Sequence, residues 1–401
     1  MSFPASSPPP PPAASITRTV VHARKKHHEG FQPAEFGRCL LDYFDIHDDF
    51  GRVECWLENN IVYLQPPSPQ GRAPNTTSVD QPVAFRFQHP PFCVAHKIKP
   101  EQKKALPPET LARGVDVGVS VLLEASDGHL LMTRRAQHMR TFPGVWVPPG
   151  GHVEEGETLV EAGLREVMEE TGLEMLLKEE EEEDEEGIEQ TLSKEKNEAT
   201  QKEKGNPSSS PPSEGKCRVL GLWESLYPPV LYMGEPTRHH LVVYLHIRVP
   251  LTASDLQRKL KLDSSEVDAC LWLTQEMAEV VVFGSNRPSS RDIPITLVNT
   301  EGEHVTGILN PKTLRKKMPE PGFEVERLTT GTRYALKLWL EQRHGRDEMR
   351  GDQVNWGHVQ VRRRRRNAQL PAQLRRRMPT QRRIFTTDAP VTSSGAVTDS
   401  W

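Results

Sequence analysis

Residues 151–173 read GHVEEGETLVEAGLREVMEETGL and set three glutamates, Glu166, Glu169 and Glu170, on what must be one helix face. At about 100° per residue the three fall within roughly a 100° arc, with Glu166 and Glu170 stacked one turn apart. Carboxylates held so close repel one another and destabilise a bare helix. A hard divalent cation removes that objection, because Mg²⁺ takes oxygen ligands, keeps several waters and bridges the phosphates of a substrate.

The neighbouring residues predict how such a helix is built. Thr158 followed three residues later by Glu161 is a capping box that starts it, and Gly172 ends it. Leu159, Val160, Leu164, Val167 and Met168 lie on the flank away from most of the glutamates. They predict a face buried against a sheet and an exposed carboxylate face. Ahead of the helix, Pro148 and Pro149 stiffen a turn into Gly150 and Gly151, where main-chain groups can approach metal or phosphate closely. A carbonyl near Gly150 or Gly151 is expected in the metal shell.

This segment resembles the Nudix box at every fixed position: Gly151, Glu157, Arg165, Glu166, Val167, Glu169, Glu170, Gly172 and Leu173. The resemblance implies an α/β/α Nudix sandwich with a mixed sheet, acting as a hydrolase on a nucleoside diphosphate linked to a second moiety. It further implies Mg²⁺ or Mn²⁺ held by Glu166, Glu169, Glu170 and the Gly151 carbonyl. One of the glutamates then serves as base toward water, and Arg165 pairs with Glu157, which makes Glu166, Glu169, Arg165 and Glu157 the candidate catalytic residues. The chemistry agrees. A pyrophosphate repels hydroxide, so its hydrolysis needs a cation to neutralise oxygens, activate water and hold the leaving phosphate, and it needs no nucleophilic side chain. The bland alternative, a surface helix with solvated glutamates, predicts neither the double glycine nor the fixed arginine.

Composition bounds the rest of the chain. Of the 401 residues, 1–30 are Pro-rich, 178–216 form an acidic Glu, Lys, Ser and Pro insert, and 344–401 an arginine-rich tail. None of the three shows a hydrophobic period, and all are expected to be disordered. Between them, 31–112 reads as a small β-rich module and linker, with Val53, Cys55, Trp56 and Ile61 to Leu64 as its clearest strand residues, and 113–343 as the hydrolase domain. Within that domain Val115–Leu123, Leu130–Arg134, Val145–Val147, Arg218–Trp223, His240–Val249 and Ala269–Leu273 read as strands, with helices after Thr274 and over Gly331–Arg343. Net charge is −4, so the whole chain advertises no partner. Its distribution is more telling: acid gathers at Glu179 to Glu186, base at Arg362 to Arg366 and Arg375 to Arg377. The basic tail can contact RNA phosphates through counterion release, and a solvated or nuclear-targeting tail is its bland reading. The five cysteines, Cys39, Cys55, Cys93, Cys217 and Cys270, have no paired spacing for zinc or redox chemistry and read as reduced, buried thiols. With no apolar run long enough for a membrane span, the expectation is a soluble cytoplasmic protein, or a nuclear one through its arginine runs.

Specificity lies outside the box. RGVDVG from Arg113, LLMTRRA from Leu130, WVPPGGHVE from Trp146, LGLWESLYPP from Leu220 and HHLVVYL from His239 are similar to a vertebrate Nudix subgroup over roughly residues 90–343. That subgroup is associated with hydrolysis of monomethylated capped RNA, which implies N7-methyl-GDP and 5′-monophosphate RNA as products. Arg134 and Arg135 are candidates to clamp phosphates, and Trp146, Trp223 or Tyr227 to stack on a methylated guanine. Such aromatics are more often core, and the bland reading of the two arginines is an ion-paired surface. His239 and His240 cannot both point inward from a strand; one of them, taken as His240, is a candidate to line the site, against the commoner packed or solvent-facing histidine, and a zinc site there lacks further ligands. Leu131 to Ala136, Arg140, Gly144 and Pro149 to Gly151 also approach the signature of coenzyme A pyrophosphatases, departing at Met132 and Pro148. A third reading, from another class, is an RNA-binding module with vestigial catalysis.

Overall fold

The computed structural model describes residues 18–26, 30–67, 82–178, 215–284, 292–317, 319, 326–344 and 355–361. The proline run, the acidic insert from 179 to 214 and the arginine runs after 361 lie outside them. Strands follow in the order β1 (Val20–Ala23), β2 (Gln32–Pro33), β3 (Phe50–Glu58), β4 (Ile61–Gln65), β5 (Val83–Gln88), β6 (Asp116–Glu124), β7 (Leu130–Arg135) and β8 (Trp146–Val147). After the box helix, Leu159–Thr171, come β9 (Met175–Lys178), β10 (Gly215–Tyr227), β11 (Arg238–Arg248), β12 (Val267–Leu273), β13 (Ile293–Val298), β14 (His304–Leu309) and β15 (Asn355–Val361).

The centre of the sheet is β6. Every one of its residues is buried, as a near-continuous apolar run demands when both faces are covered. Val117, Val119, Val121 and Leu123 join Leu159, Val160 and Val167 of the box helix in one core. From the opposite face, Leu122 joins Trp339, Leu336 and Leu340 of the helix Thr330–Arg343. Alternation along one strand thus produces helix, sheet and helix as three layers, and the mixed α/β sandwich is the observed fold. A buried carboxylate locks the second layer. Glu124 accepts from His246 at 2.7 Å, Trp339 at 2.8 Å and Arg343 at 2.6 Å. Burial on its own pushes this acid up, but those donors prevail and hold it down at about 2.

The N-terminal strands are β-rich as expected, yet the division near residue 112 does not separate two cores. β1 runs parallel to β4, β4 antiparallel to β3, and β3 antiparallel to β5. β5 then runs parallel to β10, β10 antiparallel to β11, and β11 parallel to β6. The Val20–Asp116 pair returns β6 to β1 and closes a ring. Leu40, Val53, Leu64 and Phe87 share their cluster with Val119 and Leu245. The physical reason is edge satisfaction: β6 and β10 would otherwise present unpaired backbone that the upstream strands cover. Two further boundaries shift. β1 starts at Val20, inside the stretch assigned to a disordered start, and β15, inside the assigned tail, pairs with β10 and β9. The hairpin of β13 and β14 was not expected either. Among the described residues no helix is long and apolar enough to cross a membrane.

One shared core has a thermal consequence. Leu64, fully buried, should cost about 2–5 kcal/mol when replaced by alanine. Calorimetry of Leu64→Ala should show one transition moved as a whole, with amides of the box helix losing protection in step. Two transitions, only the upstream one shifted, would show separate domains.

Candidate active site

The box helix forms where its caps place it. Thr158 accepts from the Glu161 amide at 3.2 Å, the Glu161 carboxylate accepts from the Thr158 amide at 2.8 Å, and Gly172 closes the helix at φ +67°. Arg165 ties helix to loop. Its Nε and Nη2 donate to the two Glu157 oxygens at 2.7 and 3.0 Å, and Nη2 also reaches the His152 carbonyl at 2.8 Å. Nη1 donates to Glu166 at 2.8 Å and to Glu169 at 3.0 Å. A planar fork of this kind orients several carboxylates at once.

The carboxylate face differs from the expectation of an exposed one. Glu166 and Glu170 are 8% and 2% exposed. They point beneath the glycine turn instead of into bulk water, and only Glu169 stays exposed. Glu170 accepts from the Gly150 amide at 3.1 Å and the Thr133 hydroxyl at 3.0 Å. A third acid joins them from a distant loop. One oxygen each of Glu166, Glu170 and Glu266 lies within 4.8 Å of the others, whereas Glu169 stands outside that group on its bond to Arg165. Burial raises Glu166 to about 7 and Glu170 to about 8, and it raises Glu266 as well.

The glycines make room for this arrangement. A Cβ at Gly151 would sit 2.3 Å from a Glu166 oxygen, and one at Gly150 would sit 2.2 Å from the Val119 carbonyl. The Gly151 carbonyl accepts from the Val119 amide at 2.8 Å, so only its second lone pair is open to a cation. Three converging carboxylate oxygens beneath a side-chain-free turn are a donor set that fits Mg²⁺ or Mn²⁺.

Above the carboxylates opens a cleft of about 500 Å³, within the range of small-molecule sites. Arg135, His152, His240, Phe142 and Arg327 line it. Of the residues read as substrate contacts, Arg135, His240 and Trp223 reach this cleft. Arg134 and Trp146 do not, and for them the expectation is corrected. Arg134 pairs with Asp268 at 2.6 Å and Glu326 at 3.0 Å, while Trp146 is fully buried and donates to Glu326 at 2.9 Å. Neighbours on one strand face opposite ways, which sends Arg134 to structural partners and Arg135 to the cleft. The same alternation puts His239 on Glu224, at 2.8 Å, and His240 on His152, at 3.1 Å. Burial lowers both His152 and His240, so this pair is neutral at pH 7. Trp223 borders the cleft but stacks obliquely on Tyr334, and Tyr227 meets Phe142 edge-on with centroids 4.8 Å apart.

The NUDIX domain family model matches residues 114–293. The chain is 35% identical over 336 residues to m7GpppN-mRNA hydrolase NUDT17 of Danio rerio, an alignment covering 81% of this chain and 96% of that protein. It is 34% identical over 316 residues to the Xenopus laevis protein of the same name, covering 77% and 90%. To the Homo sapiens one it is 35% identical over 266 residues, covering 64% and 70%. The chain belongs to the Nudix family.

Several residues of this Nudix site escaped the sequence reading, among them His152, Arg327, Glu266 and Phe142. Glu266 sits in Asp263-Ser-Ser-Glu-Val, an acidic turn just ahead of β12, and nothing local marks it as a partner of Glu166. Phe142 lies in Thr-Phe-Pro-Gly, where the following proline restricts the backbone; its φ of +51° is a conformation an aromatic residue rarely adopts.

The raised acids set a pH dependence. Metal binding must displace protons held up to about pH 7 and 8. Affinity for Mn²⁺, followed by calorimetry, should therefore climb between pH 6 and 8, by about tenfold per unit for each proton displaced, and then level off. The linkage sign is opposite for the metal-free protein. Folded acids raised above the 4.5 of an unconstrained glutamate stabilise the fold at low pH, and that contribution fades as pH rises through 7 to 8. Affinity independent of pH over this window would contradict the buried placement.

Proposed function

We propose that this Nudix hydrolase performs Mg²⁺- or Mn²⁺-dependent cleavage of the phosphoanhydride bridge of N7-methylguanosine-capped RNA. The products are N7-methyl-GDP and a 5′-monophosphate RNA. The observation that carries the reading is the convergence of Glu166, Glu170 and Glu266 at the floor of a cleft whose walls are basic and aromatic. The m7GpppN-mRNA hydrolases to which this chain is similar supply the substrate class.

In this reading Glu166, Glu170 and Glu266 hold the cation, with the open lone pair of Gly151 beside them. When bound, the cation neutralises phosphate oxygens and makes water acidic enough to attack. Arg165 keeps Glu166 aimed by holding it against Glu157. Arg135 offers its guanidinium to the phosphate chain, anchored through the Thr141 carbonyl at 3.0 Å. Glu169, exposed at the rim, takes the proton as the water oxygen joins one phosphorus and the bridging oxygen leaves with the other. Phe142, propped edge-on by Tyr227, presents a face on which a cationic methylated base stacks. The arginine-rich segments after residue 361 would add affinity for RNA independent of sequence.

Product analysis on capped RNA and coenzyme A, with metal present, separates this reading from its competitor. N7-methyl-GDP supports it, while 3′-phospho-AMP from coenzyme A in preference would replace it. Glu169→Gln should lower kcat by about 10²–10⁴-fold while leaving Mn²⁺ affinity within a few-fold. Glu170→Gln should lose affinity and turnover together, and retained turnover in Glu170→Gln would sink the metal assignment. Phe142→Ala should raise KM for methylated capped RNA about 5- to 30-fold and narrow the preference over an unmethylated cap. An equal loss on both caps would remove the stacking role.

A further inference from the structure

Behind the aromatic wall of the cleft a second cluster of metal-binding side chains is buried, away from the box. Cys39 precedes the short 3₁₀ turn Leu41–Phe44, His89 and Cys93 bound the loop after β5, and Glu224 comes from the middle of β10. Cys39 and Glu224 are fully buried, and His89 and Cys93 are each 3% exposed. One donor atom from each of the four lies within 4.8 Å of all the others. Cys39 Sγ is 3.1 Å from His89 Nδ1 and 3.1 Å from Glu224 Oε2, and those two are 3.9 Å apart. Zinc bonds of about 2.0–2.3 Å at tetrahedral angles set their donor atoms roughly 3.3–3.8 Å apart, the same scale.

The surroundings orient these atoms as they do around a bound metal. His89 turns Nδ1 toward the sulfurs, and its Nε2 meets Asp49 at 3.2 Å, the carboxylate partner that fixes the tautomer of a ligating imidazole. Glu224 commits one oxygen, Oε1, to the Leu40 amide at 2.9 Å and to His239 Nε2 at 2.8 Å. His239 accepts the Gly37 amide on Nδ1 at 3.2 Å, so it is a neutral donor to Glu224. The other oxygen, Oε2, faces the cluster. Two sulfurs, an imidazole nitrogen and a carboxylate oxygen form a borderline-soft set suited to Zn²⁺ and poorly suited to Mg²⁺.

We propose that Cys39, His89, Cys93 and Glu224 bind a structural zinc ion that fastens the N-terminal strands and the His89–Cys93 loop to β10. Four protein ligands close the shell and leave no position for water or substrate, so the site holds structure and performs no chemistry. Its effect reaches the cleft by geometry. Pro90 and Phe92, between two of the ligands, line the cleft, and so do Trp223 and Ser225 on either side of Glu224. The ion thereby sets one wall of the substrate site from behind, independently of which phosphoanhydride is cleaved.

The test is metal analysis of the full chain, reduced and free of chelating tags, by plasma mass spectrometry. About one zinc per chain should survive dialysis against Mg²⁺, and it should persist in Glu166→Gln, which alters only the box. Cys39→Ser and Cys93→Ser should lose it. Growth with Co²⁺ in place of zinc gives a readout that needs no variant: intense sulfur-to-cobalt charge transfer together with tetrahedral ligand-field bands. Cys93→His should keep the metal with a weakened sulfur band, which a purely structural cysteine would not do. Zinc-free wild-type protein with no cobalt–thiolate band would overturn the proposal, as would a Cys39–Cys93 disulfide in the protein as isolated.

Discussion

Everything at the active site depends on two carboxylates, Glu166 and Glu170, being taken out of water on the same helix face. Burying like charges one turn apart costs several kcal/mol, a cost this fold meets in part by protonation and in part by donors. Thr133 and the Gly150 amide answer Glu170, and Arg165 answers Glu166. The donors do not finish the task, which is why both acids stay well above the ordinary glutamate range. What remains is an appetite for a small, hard cation. The Gly150–Gly151 turn, the capping box and the Glu157–Arg165 fork are each legible as means of holding that unsatisfied pair still.

The same logic explains which parts of the fold were readable in advance. The box helix begins and ends on the predicted caps because its signals are local: Thr158, Glu161 and Gly172 act within one turn of themselves. β6, β7, β11 and β12 were legible as apolar runs. The closure of the sheet was not, because ring closure depends on β1 and β5 meeting β6 and β10, contacts between segments far apart in sequence. The stretch read as a linker ahead of residue 112 looked like a domain boundary for the same reason. Sequence reports where hydrophobic periodicity weakens, whereas a shared core is a fact about three dimensions.

Site residues divide along the same line. Motif spacing located the box glutamates, but on which side of the helix water lay was a tertiary matter, and the expected exposed face proved to be a buried floor. Arg134 and Arg135 were indistinguishable as letters. Strand alternation assigns one to Asp268 and Glu326 and the other to the cleft, and only the position of Glu326 in the folded chain decides which. Cys39, His89, Cys93 and Glu224 were illegible as a group because 50 residues separate Cys39 from His89 and 185 separate it from Glu224. The one local hint was His89 four residues before Cys93.

The register of β10 and β11 connects the two centres. Ser225 stands opposite His240, while the residues on either side, Glu224 opposite Leu241 and Leu226 opposite His239, face the other way. One face of this strand pair therefore carries Ser225 and His240 into the cleft, and the other carries Glu224 and His239 to the cluster behind it. A slip of one residue would exchange the faces, placing a carboxylate in the cleft and stranding Cys39 and His89 without their partner. Register is strongly specified wherever one face is buried. Here both faces are specified, one by the packed interior of the ring and one by the substrate cleft. The N-terminal strands, which close the ring against this pair, thus take part in shaping the Nudix site although they supply none of its box.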